Sequence, residues 1–414
     1  MSIFDQAPEK TGDFFVRHKP EYLRMFFGTE DVTPLWVADM DLPVADPIRE
    51  AVQYVAGRGQ FAYEFNSDGI YAAISAWHQR RHGLALDTAN FVTFPGVLTA
   101  ISLLIRELTK EGDGVLMLVP AYHQFGKLIT SAGRDLATSK LSYADDGYGM
   151  DFGDLDARLG ADNVTAMIVC NPHNPVGRVW RPDELARLVE LADRHGVTLI
   201  SDEIHADIIF GDHRFTSLSS VDGGRHVSVI GSPAKTFGMQ SISNGYVYTA
   251  NADIHRRMKA LEEGMYLGHG NAFTTYATIA AYEKGDAWLD ALLDYLQGTI
   301  DEIADLLARR LPGAKMAPVE GTYQVWIDCS GLGLSAEALK ATLGEAGFGA
   351  TPGTWFDPDA GDFIRVNIAA PRGEVMAAFE RFAGAVDKAV GAAGEAAPPE
   401  RKAAGDGKST DACC

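Results

Sequence analysis

The sequence predicts an α/β fold, a mostly parallel central sheet flanked by helices with a smaller α+β domain beside it, and three observations carry that prediction. From about residue 45 to 285, short β-branched runs alternate with longer helical patterns, as they do where helices cover a parallel sheet. Four of those runs, 115–119, 166–170, 197–200 and 227–230, are almost continuously apolar, which suits strands buried on both faces. After about residue 289 the rhythm changes to a long amphipathic helix, a strand at 323–327, another helix and a strand at 363–368.

Local signals agree with this pattern. Pro182, Asp183 and Glu184 open a helix between two of the apolar runs, and Gly196 closes it after His195. The expected organisation is an N-terminal segment, 1–44, that joins the small domain, a large domain over 45–288, the rest of the small domain over 289–393, and a disordered tail over 394–414. That tail is rich in Ala, Pro, Gly and charge and offers no core.

Composition removes several function classes. A chain of 414 residues, 46% hydrophobic, can bury one or two large cores. A net charge of −20 argues against a nucleic-acid partner, which needs clustered Lys and Arg to displace counterions. No apolar run is long enough for a membrane span, and Met1-Ser2-Ile3-Phe4-Asp5 does not open like a secretory signal, so a cytoplasmic protein is expected. Cys170, Cys329, Cys413 and Cys414 have no zinc-cage or disulfide spacing, and the first two read as core residues. The eleven histidines form no His-Glu-x-x-His pattern, and no metal site is expected.

The residues that carry chemistry stand just after the apolar runs, and in open α/β sheets ligands bind at the strands' carboxyl ends. Ser232-Pro233-Ala234-Lys235 follows one run, and Ser201-Asp202-Glu203-Ile204-His205 follows another. A lysine and a carboxylate in those places suit pyridoxal 5′-phosphate (PLP). The amine can carry the cofactor as a Schiff base, and the anion keeps the pyridine nitrogen protonated, which makes the ring an electron sink. Standing alone, Asp202 would read as a helix N-cap and Lys235 as an exposed loop residue. His205 either reaches the cofactor's phenolic oxygen or is an ordinary half-buried histidine. Two Asn-Pro pairs and a glycine, Asn171-Pro172-His173-Asn174-Pro175-Val176-Gly177, force an irregular loop that aims Asn174 in a fixed direction.

Gly96 and Val97 lead from a strand into a helix, where backbone N–H groups bind phosphate. Tyr122 can lie over a planar ring or pack in the core. Arg365, in an apolar strand, calls for a carboxylate, either a structural partner or the α-carboxylate of an amino-acid substrate.

With these segments in order, the chain resembles class I/II aminotransferase-fold enzymes of PLP fold type I. More closely, it is similar to the MalY/PatB-type C–S lyases, also called cystathionine β-lyase-like proteins. The resemblance covers about residues 15–385 and is specific at Trp36-Val37-Ala38-Asp39-Met40-Asp41, 171–180, 201–207, Gly321-Thr322-Tyr323 and Arg365-Val366-Asn367. It implies that Lys235 anchors PLP and then acts as acid and base, that Asp202 pairs with the ring nitrogen, and that Asn174 contacts the phenolic oxygen. It further implies that Tyr122 stacks on the ring, that Ser232, Gly96 and Val97 hold the phosphate, and that Arg365, with Asn174 and Ala38, holds the substrate. Tyr63 matches a tyrosine that reaches the phosphate of the neighbouring subunit, which implies a homodimer with shared active sites.

The implied reaction is β-elimination from cystathionine, cysteine or another S-substituted cysteine, giving thiol, pyruvate and ammonia. Two departures, Gly238-Met239-Gln240-Ser241-Ile242-Ser243 after the lysine and Ala62-Tyr63-Glu64-Phe65, point to a shifted substrate or reaction. The alternatives are transamination or decarboxylating deamination of an S-cysteine conjugate, as in secondary metabolism, and a regulatory protein that keeps PLP without turnover.

Overall fold

The computed structural model describes residues 2–8, 14–144, 147–223 and 226–395. Among the described residues the strands are β1 (Phe91–Phe94), β2 (Gly114–Val119), β3 (Asp135–Lys140), β4 (Ser142–Ala144), β5 (Gly147–Gly149), β6 (Val164–Cys170), β7 (Thr198–Asp202), β8 (Val227–Gly231), β9 (Gly245–Tyr248), β10 (Lys315–Met316), β11 (Gln324–Asp328), β12 (Thr351–Pro352) and β13 (Phe363–Asn367). Seven form the central sheet in the order β1-β9-β8-β7-β6-β2-β3. The pairs from β8 through β7, β6 and β2 to β3 are parallel, as the apolar runs predict.

Strand β9 is the exception, running antiparallel to both β8 and β1. An apolar run carries no direction, so this reversal was not readable from composition. Its consequence is that β1 points the same way as β8, and six strands, β1, β2, β3, β6, β7 and β8, run in one direction and deliver their carboxyl ends to one edge of the sheet.

A second, fully antiparallel sheet has the order β10-β11-β13-β12. Helices Asp286–Arg310 and Arg372–Glu395 accompany it, and their apolar faces, with Leu292, Ile303, Phe379 and Phe382, are fully buried. The helix Pro182–His195 begins and ends as read, with Gly196 in the left-handed region at φ 69°. Cys170 and Cys329 are buried free thiols, as expected of core residues. The last helix runs into the first two residues of the expected tail, Gly394 and Glu395; residues 396–414, with Cys413 and Cys414, lie outside the described residues. Among the described residues, no helix is long and apolar enough to cross a membrane.

The N-terminal segment ties the second sheet to the first. Asn367 donates from Nδ2 to the carbonyls of Val37 and Asp39, both at 2.6 Å, and Asn367 N donates to Leu35 O at 2.9 Å. Fully buried Arg17 grips the same strap, pairing with Asp39 and, at 3.1 Å, with Asp41. Residues 36–41 are therefore threaded between the end of β13 and the edge where the central strands finish.

Candidate active site

Lys235 lies in a single helical turn, Pro233–Phe237, directly after β8. Ser232 caps that turn, accepting from Ala234 N at 3.2 Å and donating to Asn244 O at 2.8 Å. Gly238 ends it at φ 68°, a conformation L side chains rarely adopt. The departure after the lysine is thus divided in its placement. Met239 is buried in the core and Ser241 is exposed, so only part of that run can face the site.

The partly buried Lys235 side chain points at the strap, and its Nζ donates to Ala38 O, which also accepts from Tyr323 OH at 3.3 Å. Burial holds the amine down at about 8, opposed by Asp39, assisted by Arg365 and opposed by Asp202. Asp202, the last residue of β7, is 5% exposed and accepts from Ile204 N at 3.1 Å, a local turn rather than a helix cap. Burial raises its carboxyl to about 6, against the pull of that N–H and of Lys235.

Asn174 and Arg365 meet from opposite sheets. Arg365 Nη1 donates to Asn174 Oδ1 at 3.4 Å, and Nη2 donates to Trp36 O at 2.6 Å and Thr351 Oγ1 at 3.3 Å. The guanidinium lies 4.8 Å from the ring centre of Phe356 and is 4% exposed. Among the described residues no carboxylate pairs with it, and its Nε has no partner. Burial lowers it to about 10, although Tyr122 and Tyr323 pull the other way. A buried cation without an anion is expensive, and the structural salt bridge that could have explained this arginine is absent among the described residues.

Tyr122 is part-buried at the start of the helix His123–Ser131, and burial raises its hydroxyl, with Arg365 and Asp202 near enough to act on it. His205 packs edge-on against Tyr323 at 5.8 Å, leaves Nδ1 without a partner, and is held well below its ordinary value by burial, Lys235 and Arg365.

Gly96 and Val97 begin the helix Val97–Leu108 beside Gly245, where an added Cβ would come within 2.8 Å of Gly96 C and Val97 N. A Cβ on Gly96 itself would meet nothing within 4 Å, so the cradle is open on that side. Tyr63 stands apart, 94% exposed, with its ring stacked near Phe65.

Two groups escaped the sequence reading. Asp39 sits inside a recognised motif, yet its pairing with Arg17 spans the chain's N-terminal region and has no local pattern. Asp207 accepts from Trp77 Nε1 at 2.8 Å, His82 Nε2 at 2.7 Å and Thr236 Oγ1 at 2.7 Å, bracing the residue next to the lysine. Burial alone would raise Asp207; the hydrogen bond and charge of His82 outweigh it and hold the carboxyl at about 2.

Lys235, Asp202 and Arg365 lie near enough to act on one another, Asn174 meets Arg365, and the helix start at Gly96 and Val97 is open on one side, a set of groups that fits a phosphorylated pyridine aldehyde and an amino acid. The chain matches the family described as Aminotransferase class I and II over residues 37–382, and it belongs to that family. It is 33% identical over 386 residues to cystathionine beta-lyase PatB of Bacillus subtilis, covering 92% of this chain and 99% of that one. Among solved structures it is similar to a PLP-bound protein of Clostridium difficile, with TM-score 0.89, 31% identity and coverage of 92% and 99%. It is also similar to cystalysin of Treponema denticola, which contains a pyridoxal 5′-phosphate cofactor, with TM-score 0.86, 27% identity and coverage of 94% and 100%.

Proposed function

We propose that the chain is a PLP-dependent carbon–sulfur β-lyase that converts an S-substituted cysteine and water to a thiol, pyruvate and ammonium. The observation that carries this reading is the proximity of Lys235, an amine held at about 8, to Arg365, a buried guanidinium with no carboxylate partner among the described residues. The similarity to PatB, a cystathionine beta-lyase matched over nearly its whole length, favours this bond over others.

In this reading Lys235 would hold PLP, Asp202 would pair with the ring nitrogen, Asn174 and His205 would serve the phenolic oxygen, and Tyr122 would pack against the ring. Gly96, Val97 and Ser232 receive the phosphate. When bound, PLP supplies an electron sink for charge developing at the substrate Cα. Arg365 binds the substrate carboxylate through its planar fork and, with Asn174, fixes which Cα bond faces the lysine. An amine with a value near 8 is poised to take the Cα proton at neutral pH, a role worth about 10²- to 10⁴-fold in rate. The same proton is then available to the departing thiolate or to the methyl carbon of pyruvate. The strap carbonyl of Ala38 fixes the amine and borders the substrate.

We read the molecule as a homodimer. Tyr63, with Phe61 at 63% and Phe65 at 56% exposure, forms an aromatic ridge that a second copy would cover, placing Tyr63 at the partner's phosphate. Incubating the purified protein with PLP and a panel of S-substituted cysteines, with every product identified by mass, tests the reaction. Equal amounts of thiol and pyruvate are expected. A keto acid formed only with a keto-acid acceptor would instead indicate transamination, and carbon dioxide with an aldehyde would indicate decarboxylating deamination.

A further inference from the structure

Rings cluster around Trp36, the residue whose carbonyl accepts from Arg365. Phe26 packs edge-on against Trp355 at 4.8 Å and against Trp36 at 5.1 Å, and Trp36 meets Trp355 at 6.4 Å. Tyr22 extends the group, 6.3 Å from Trp36. On the other side Trp355 touches His123 at 5.8 Å, and His123 touches Tyr122 at 5.1 Å. The wall therefore bridges the second sheet's region and the carboxyl end of β2.

Its position relative to the substrate anchor is fixed by two contacts. Trp36 supplies the carbonyl that accepts from Arg365 Nη2, and Phe356, next to Trp355, lies under the guanidinium. Trp36 is buried, whereas Phe26, Tyr22 and Trp355 are only part-buried and keep apolar surface for a ligand. Burial and Arg365 hold His123 below its ordinary value, which disfavours a charge on the wall.

An S-substituted cysteine whose carboxylate rests on Arg365 and whose amine faces Lys235 has one arm left, the thioether. Rings meeting edge-to-face favour an aromatic or bulky apolar group in that place and offer nothing to the ammonium and carboxylate at the far end of cystathionine. Resting on the lyase reading above, we propose that Phe26, Trp36 and Trp355 form the subsite for the S-substituent, and that it selects aryl or bulky apolar thioethers over small or charged ones.

Two carboxylates that lack an amine, 3-(benzylthio)propanoate and 3-(methylthio)propanoate, probe the subsite by calorimetry and tryptophan fluorescence without any turnover. The holoenzyme should bind the benzyl compound at least about 10-fold more tightly, in keeping with the discrimination that apolar pockets achieve. Trp355→Ala and Phe26→Ala should each reduce that ratio several-fold, and Trp355→Phe should keep most of it. In turnover, kcat/KM for S-benzylcysteine should exceed that for cystathionine, with the difference lost in Trp355→Ala. Equal binding of the two probes, or a preference that survives both alanine variants, would overturn the subsite. If the probes behave as expected but no thioether yields pyruvate, the subsite stands and the lyase reading falls.

Discussion

Two buried arginines in this molecule do opposite things. Arg178 Nη1 donates to Glu320 Oε1 at 2.7 Å and Nη2 donates to both oxygens of Glu184, at 3.0 and 2.9 Å, so its charge is answered within the fold. Glu320 also accepts from Val179 N at 2.9 Å, which pins the Asn-Pro loop's exit to the segment before β11. Arg365, 4% exposed against 7% for Arg178, has no such answer among the described residues, only carbonyl, hydroxyl and amide oxygens. A structural arginine arrives with its anions; an arginine awaiting a ligand is left short of one. Lys235 shares the second condition, because the carboxylates around it do not offset its burial.

The largest effect should come from the lysine. Lys235→Ala should lower pyruvate release by at least about 10²- to 10⁴-fold, read by a coupled assay at saturating substrate. Next comes the contrast between the arginines. Arg365→Ala should lower kcat/KM about 10²-fold, mainly through KM, while its unfolding free energy from urea titration changes by no more than about 1 kcal/mol. Arg178→Ala should reverse that pattern, losing about 3–5 kcal/mol of stability because Glu184 and Glu320 stay buried without their cation. Activity per folded molecule should then change only a few-fold.

A smaller effect sharpens the comparison on the stability side. In the cofactor-free protein, Lys235→Met should be stabilising by about 1–3 kcal/mol at pH 7, since it removes a buried ammonium whose value is depressed. The folded lysine releases its proton near 8 and the unfolded one near its ordinary value of 10.5, so the unfolded chain binds more protons between those limits. Wild-type stability should therefore rise with pH across that window, and the advantage of Lys235→Met should shrink. Urea unfolding at pH 7 and pH 10 measures both.

Much of this was legible in the sequence because the chemistry sits directly after strands that announce themselves. Asp202, Asn174 and Lys235 each follow a buried apolar run, and parallel pairing brings those ends together. What joins them across the two sheets was not legible. Arg17 with Asp39, Arg365 with Trp36 and Thr351, and Phe26 with Trp355 are meetings of distant segments, fixed only when residues 36–41 thread past β13. The antiparallel β9 was hidden for a related reason, since strand direction depends on connections rather than on apolar pattern. Met239 belongs to the departure that directly follows the lysine, yet the turn at Gly238 is followed by its burial in the core.

The central claim is that Lys235, and no other lysine, holds the cofactor. Reduction of the PLP-loaded protein with borohydride, followed by peptide mass spectrometry, tests it directly. A reduced pyridoxyl adduct confined to the peptide bearing Lys235, and lost in Lys235→Ala, is the predicted result; an adduct on a different lysine, or none, would contradict it.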